Sequence, residues 1–352
     1  MSNNTIIQKV QEALRACSPN DISLLYKKTA HSEVLTQMHV MKLVYGMKAV
    51  ESCSDRQLHD LAVALGLYES SGEDGATSKQ QFFDNLTVSN VNIYKAHLKR
   101  FKWAEGERDA DLTEWPKQDL LQEIEREGIY NRGTLRQLVT AISKYAEWRK
   151  QNGKSVNEFW HGEGLSVNDI SLVEAMRKNC VQDPIGLCVR FAINKNSAPE
   201  MILNMCAVLA WVGFSLEEMV ALKNEAVSPD CTRIDGRTIP IPMQRLVRIY
   251  TSCEDLDDLG YLVKRPLPSR QAGRPINKAY ISTQFATAGI MSHSDISMSA
   301  KYYELWSLEN ESSLTTEDIA NVFKIKNDQR TAAMVDRLAE YQAYKEAFHI
   351  ES

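Results

Sequence analysis

No apolar run in this chain approaches the roughly 20 residues that a membrane-spanning helix needs; the longest, Met205 to Phe214, stops well short. The opening MSNNTIIQKVQEAL is amphipathic and lacks the features of a secretory signal. The seven cysteines (Cys17, Cys53, Cys180, Cys188, Cys206, Cys231, Cys253) are odd in number and contain no C-x-x-C pair, so neither a disulfide framework nor a thiol metal clamp is expected. The seven histidines contain no H-x-x-x-H or H-E-x-x-H spacing. These absences predict a soluble, cytoplasmic chain with reduced thiols, no metal and no cofactor.

Positive charge is also in short supply, with 41 Lys and Arg against 46 Asp and Glu. A net charge of −5 argues against indiscriminate coating of nucleic acid, which draws on clustered cations. Distribution modifies that conclusion. Between residues 259 and 290 the chain carries Lys264, Arg265, Arg270, Arg274 and Lys278 and no acid at all. Such an island suits either a solvated loop or a restricted phosphate contact.

Composition is otherwise that of a globular protein, 43% hydrophobic and 25% charged, and the apolar spacing is helical nearly throughout. Helices are expected at Ile6–Ala16, His31–Ala49 and Asp55–Leu65, the last ended by Gly66, within a helical N-terminal domain over 1–87. A helix from Ser89 to Trp103 should be followed by the acidic loop AEGERDADL, and Thr113 should cap the next. Asn131 then opens a long helix whose stripe is Leu135, Leu138, Val139, Ile142, Tyr145 and Ala146. Arg132, Arg136, Lys144, Arg149 and Lys150 fall largely off that stripe. Gly153 ends the helix, and residues 88–155 form a second domain.

Beyond a linker holding Phe159 and Trp160, residues 165–352 form the third domain. Ser197 with Glu200, and Ser215 with Glu218, have the spacing of capping boxes. Asp235-Gly236 between CTRI and RTIPIP predicts a small hairpin. His293 falls in a polar loop; Thr316 should cap a helix, and a last helix presents Tyr341 and Tyr344.

The stretch LTEWPKQDLLQEIEREGIYNRGTLRQLVTAISKYAEWRKQNG resembles the SAM-like core-binding helical bundle of tyrosine recombinases. WVGFSLEEMVALKNEAV is similar to the turn and helix that carry that family's first catalytic arginine, matching at Gly213, Glu218, Val220, Ala221 and Leu222. The resemblance covers about residues 88–348. It implies a mainly α fold: a helical N-terminal region, the SAM-like bundle, and a tyrosine-recombinase-like C-terminal domain with a small β-hairpin.

The departures bear on chemistry. The family uses two arginines on the scissile phosphate, a hairpin lysine, proton-transfer histidines and a tyrosine nucleophile. Here Ser215 stands in the first arginine slot, Ser297 or Ser299 in the second, and Arg237 near the hairpin lysine, with Lys301 the nearby cation and His293 in reach of the histidine position. A hydroxyl cannot neutralise a phosphate, and losing one such stabiliser typically costs about 3 to 4 kcal/mol. The expectation is a non-enzymatic, sequence-specific regulator of double-stranded DNA in a bacterial host cell, similar to the master repressors of SPβ-type phages. Its DNA contacts would come from Arg132, Arg136, Lys144, Arg149, Lys150, Arg237, Lys264, Arg265, Arg270, Arg274, Lys278 and Lys301, with the two domains closing as a clamp.

The resemblance also allows a homo-oligomer formed through the C-terminal helix, and a regulatory peptide or protein is a further possible partner. Two alternatives stand. An atypical recombinase would use Tyr341 or Tyr344 as nucleophile with Arg237, Lys301 and Arg330 around the phosphate. A protein-interaction scaffold would account for the acidic C-terminal tail.

Overall fold

Among the described residues, reciprocal capping boxes close where Ser or Thr stands three residues before an acid, as at Ser166 with Asp169, Ser197 with Glu200, Ser215 with Glu218, Ser292 with Asp295, and Thr315 with Asp318. Each box satisfies backbone N–H groups that the first helical turn leaves without partners. The computed structural model describes residues 3–18, 21–22, 24–26, 35, 37–46, 49–53, 55–65, 67, 73–86, 88–192, 197–267, 276–326 and 330–350. The chain is mainly helical, with one two-stranded sheet among the described residues. It divides into two compact units: Met1–Glu127 with Thr134–Ile170, and Gly128–Gly133 with Ser171–Ser352. The segments 1–87 and 88–155, read separately in the sequence, fall largely in the first unit.

In that unit α1 (Asn3–Ala16), α2 (Gln37–Val44) and α3 (Asp55–Ala64) bury Val10, Leu14, Val40, Leu43 and Leu61 against one another. The expected start of the second helix at His31 and the Gly66 stop lie outside the described residues. α4 (Glu73–Asp84) and α5 (Val88–Leu98) follow, then a 3₁₀ turn at Lys99–Phe101 and α6 (Lys102–Arg108). The helical path therefore continues into the stretch expected as an acidic loop. The reason is Glu105, which is buried: its carboxylate pairs with Lys79 and accepts the Leu112 N–H at 3.0 Å. Burial raises its pKa, the adjacent Asp111 adds to this, and Lys79 opposes.

The next cap is also displaced from its expected residue. Asp111, not Thr113, accepts the Thr113 N–H at 3.0 Å and caps a 3₁₀ turn at Leu112–Glu114, while Pro116 precedes α7 (Lys117–Arg126). α8 (Arg132–Gln151) buries Leu135, Leu138, Ile142 and Tyr145 as its stripe requires. Tyr145 lies among Phe82 and Trp148 with ring centroids 5.2 and 6.2 Å away, and its hydroxyl donates to Asp111 at 2.7 Å.

The second unit is built on α11 (Ala198–Trp211), in which every residue from Met201 to Trp211 is buried. Leu209, at 0% exposure, contributes about 1.5–3 kcal/mol of transfer free energy on burial. α9 (Val173–Asn179) and α10 (Pro184–Ala192) precede it; α12 (Leu216–Ala221) follows. β1 (Arg233–Ile234) pairs antiparallel with β2 (Arg237–Thr238). Asp235 and Gly236 between them have φ of 47° and 77°, the two left-handed residues that a tight hairpin turn demands. α13 (Ile241–Thr251) and α14 (Lys278–Ala288) lead to α15 (His293–Glu311), and α13 and α15 both pack on α11. α16 (Thr316–Phe323) is capped by Thr315, one residue before the expected Thr316. α17 (Arg330–Ala347) packs on α9 and α16.

A buried polar cluster ties this unit together. Glu340, at 0% exposure, accepts the Arg132 backbone N–H at 2.7 Å, the Tyr302 hydroxyl at 3.0 Å and the Arg337 guanidinium at 2.6 Å. Tyr130 donates to Asp295 at 2.7 Å. Both belong to the same unit as the segment Gly128–Gly133 that they hold.

Candidate functional site

A cleft of about 730 Å³ opens in the second unit where the end of α11, the turn into α12, the hairpin, one face of α15 and the end of α16 meet. Ser215, Arg237, His293, Ser297 and Lys301, drawn from three separate stretches of sequence, all line it. These are the positions that the recombinase resemblance assigns to phosphate and proton handling.

Their chemistry differs residue by residue. Ser215 is half-buried, and its hydroxyl accepts the Glu218 N–H at 3.3 Å as the α12 cap. The Glu218 carboxylate returns the bond at 2.6 Å and also accepts from the Arg237 guanidinium at 2.5 Å. Those bonds, the Ser215 backbone N–H foremost, hold the Glu218 pKa down to about 2. Arg237 is thus an ion-paired cation, and its guanidinium lies 3.8 Å from the centre of the Phe214 ring. His293 is not in a loop. It is the first residue of α15, behind the Ser292 cap, and its Nε2 lies 2.8 Å from the Phe214 carbonyl oxygen.

Ser299, the other candidate for the second arginine slot, does not line the cleft. It is buried, donates to the Asp295 carbonyl at 2.8 Å and accepts the Val181 N–H at 3.1 Å. Ser297 faces the cleft one turn before Lys301 on α15. Lys301 is half-buried, with its ammonium 5.6 Å from the Phe323 ring centre. Desolvation lowers its pKa, and the positive charges of Arg337 and Lys324 lower it further against the pull of Glu304.

Neither tyrosine of the last helix lines the cleft. Tyr341 is fully buried and donates to Glu309 at 2.6 Å; Tyr344 is fully buried and donates to the Gln182 carbonyl and, at 3.3 Å, to that of Val181. Burial pushes both phenols well above the ordinary tyrosine range, and the Glu309 carboxylate adds to this at Tyr341. Of Arg330, the third cation of that alternative, no side-chain position is described.

The cations expected at DNA sort into several kinds. Arg149 is buried, 2.7 Å from Asp111 and 2.6 Å from Glu114, so its expected place on the outer face is corrected: it neutralises carboxylates that would otherwise be buried unpaired. Arg265 is corrected likewise. It is 7% exposed, its backbone N–H donates to Asp257 at 2.9 Å, and its guanidinium lies 4.4 Å from the Tyr280 ring centre. Arg132 is half-buried and 3.4 Å from Asp336, Lys278 pairs with Glu217, and Lys150 donates to the Trp160 carbonyl at 3.1 Å. Arg136 and Lys144 are exposed, and Lys264 is half-exposed. Arg270 and Arg274 lie outside the described residues.

Sequence reasoning missed three residues of the cleft. Lys324 stands at the left-handed C-cap of α16 with φ of 54°, while Trp211 and Tyr303 form an aromatic wall with ring centroids 5.8 Å apart. Lys324 joins the other cleft residues only through the packing of α16 on α15. No protein-family model matches this chain, and no curated protein sequence matches it significantly. Among the described residues no cluster of His, Cys, Asp and Glu suits a metal, and no helix is long and apolar enough to cross a membrane.

Proposed function

We propose that this chain is a non-enzymatic, sequence-specific regulator of double-stranded DNA, a repressor built on a tyrosine-recombinase-like scaffold. The observation that supports the reading most is the makeup of the cleft. Residues at the expected catalytic slots meet in one place, yet the arginine slots hold Ser215 and Ser297, and Arg237 is engaged by Glu218. The two candidate nucleophiles lie outside it with their hydroxyls bonded elsewhere.

A phosphoryl transfer there would lack both the preorganised guanidinium pair and an accessible phenol, and each missing stabiliser of that kind typically costs about 3 to 4 kcal/mol. DNA binding without cleavage needs less: surface cations to position the duplex and polar side chains to read bases. Arg136, Lys144 and Lys264 fit the first role by their exposure.

A nicked suicide duplex separates this reading from the atypical recombinase. Incubated with the full chain and run on a denaturing gel, the labelled strand is expected to migrate free of protein. A slow-migrating adduct that disappears in Tyr341→Phe or Tyr344→Phe would overturn the proposal in favour of strand transfer.

A further inference from the structure

The cleft holds more uncommitted polar groups than a vestige needs. Among the described residues, the hydroxyls of Ser297 and Tyr303 and the ammonium groups of Lys301 and Lys324 form no hydrogen bond or ion pair with the protein. Ser297 and Lys301 stand one helical turn apart, so both project from the same face of α15. Arg337, the other cation near Lys301, is occupied by Glu340 at 2.6 Å. Lys301 is a half-buried ammonium beside two further cations; Glu304 attracts it from the same wall without forming an ion pair, which leaves an excess of positive charge that a bound anion balances.

The rest of the lining is mixed, with Thr238, Glu304 and Ser307 among its polar members and an apolar wall beside them. Trp211, Phe214, Val322 and the ring of Tyr303 form that wall alongside the cations. A volume of about 730 Å³ falls within the roughly 300–1,000 Å³ typical of small-molecule sites and exceeds what one phosphate group fills. Cations and free hydroxyls together with an aromatic wall suit a ligand with an anionic head and a flat body.

We propose that this cleft is an effector site for a small organic phosphate carrying a planar ring, a nucleoside monophosphate being the simplest of that class. The phosphate sits on Lys301, Lys324 and the Ser297 hydroxyl, and the ring lies toward Tyr303 and Trp211. The regulatory consequence rests on the DNA-binding reading: an occupied cleft alters operator affinity. Binding of the ligand itself does not depend on that reading.

Titration calorimetry on the full chain tests it, with AMP, GMP, CMP and UMP, with inorganic phosphate, and with a short duplex as probes. At least one nucleotide is expected to bind about tenfold or more tighter than inorganic phosphate, a difference of about 1.4 kcal/mol. Lys301→Gln should lower that affinity by about tenfold or more at an unchanged unfolding midpoint, and Lys301→Arg should retain it. Absence of heat with all four nucleotides at millimolar concentration overturns the proposal, as does equal affinity for inorganic phosphate, or affinity unmoved in Lys301→Gln. A site that takes the duplex and no nucleotide removes the effector and leaves the DNA regulator standing. Nucleotide binding without any duplex binding does the reverse.

Discussion

Arg149 shows how one side chain can be read correctly for its charge and wrongly for its place. It falls near the edge of the α8 stripe, among Arg132, Arg136 and Lys150, and nothing local distinguishes it from them. Its partners Asp111 and Glu114 lie more than thirty residues earlier and come alongside only through the fold. Arg265 is the same case, drawn inward by Asp257 and Tyr280. Local chemistry is far more legible. Ser197 with Glu200, and Ser215 with Glu218, declare their caps in four residues because both partners are fixed by helix geometry. The burial of Arg149 carries a prediction. Arg149→Ala leaves Asp111 buried beside Tyr145 without its cation and should destabilise the protein by about 3–5 kcal/mol, measured by urea unfolding. The salt dependence of DNA binding by the folded fraction should stay unchanged, whereas a lost phosphate contact would reduce its slope.

At the level of elements, periodicity placed the helices that bury one stripe and failed where a charged side chain turns inward. α6 runs into the expected acidic loop because Glu105 is bonded rather than solvated. α15 begins at His293 because Ser292 and Asp295 close a capping box that the polar composition of SHSD conceals. The last helix was legible as a helix, but the environment of its tyrosines was not: Glu309 and the Gln182 carbonyl are supplied by other elements. The Glu340 cluster, likewise invisible in sequence, joins α8's first residue, α15 and α17. Glu340→Ala removes the carboxylate shared by three donors and is expected to cost about 3–5 kcal/mol in urea unfolding. Replacing Arg337 and Glu340 together by Met should cost less than Glu340→Ala alone, because no buried charge is then left unmatched. Equal losses would mean that the cluster contributes packing and little electrostatics.

For the whole molecule, the mainly helical composition and the small hairpin follow from patterning and one Asp-Gly turn. The gathering of Ser215, Arg237, His293, Ser297 and Lys301 in one cleft does not follow from spacing; the order of motifs suggested it, and packing around α11 achieves it. Lys324 and the Trp211–Tyr303 wall were not legible, since Lys324 lies outside the motifs and Trp211, though it opens WVGFSLEEMVALKNEAV, meets Tyr303 only in the fold. We propose that this chain recognises a DNA sequence and leaves the backbone whole. Selection of fragmented genomic DNA on the full chain, with elution under denaturing conditions and sequencing, measures both halves at once. A short common sequence is expected, strongly enriched in intact fragments free of attached protein. Recovery no different from the input library, or fragments ending at one nucleotide with the chain bound to them, would contradict it.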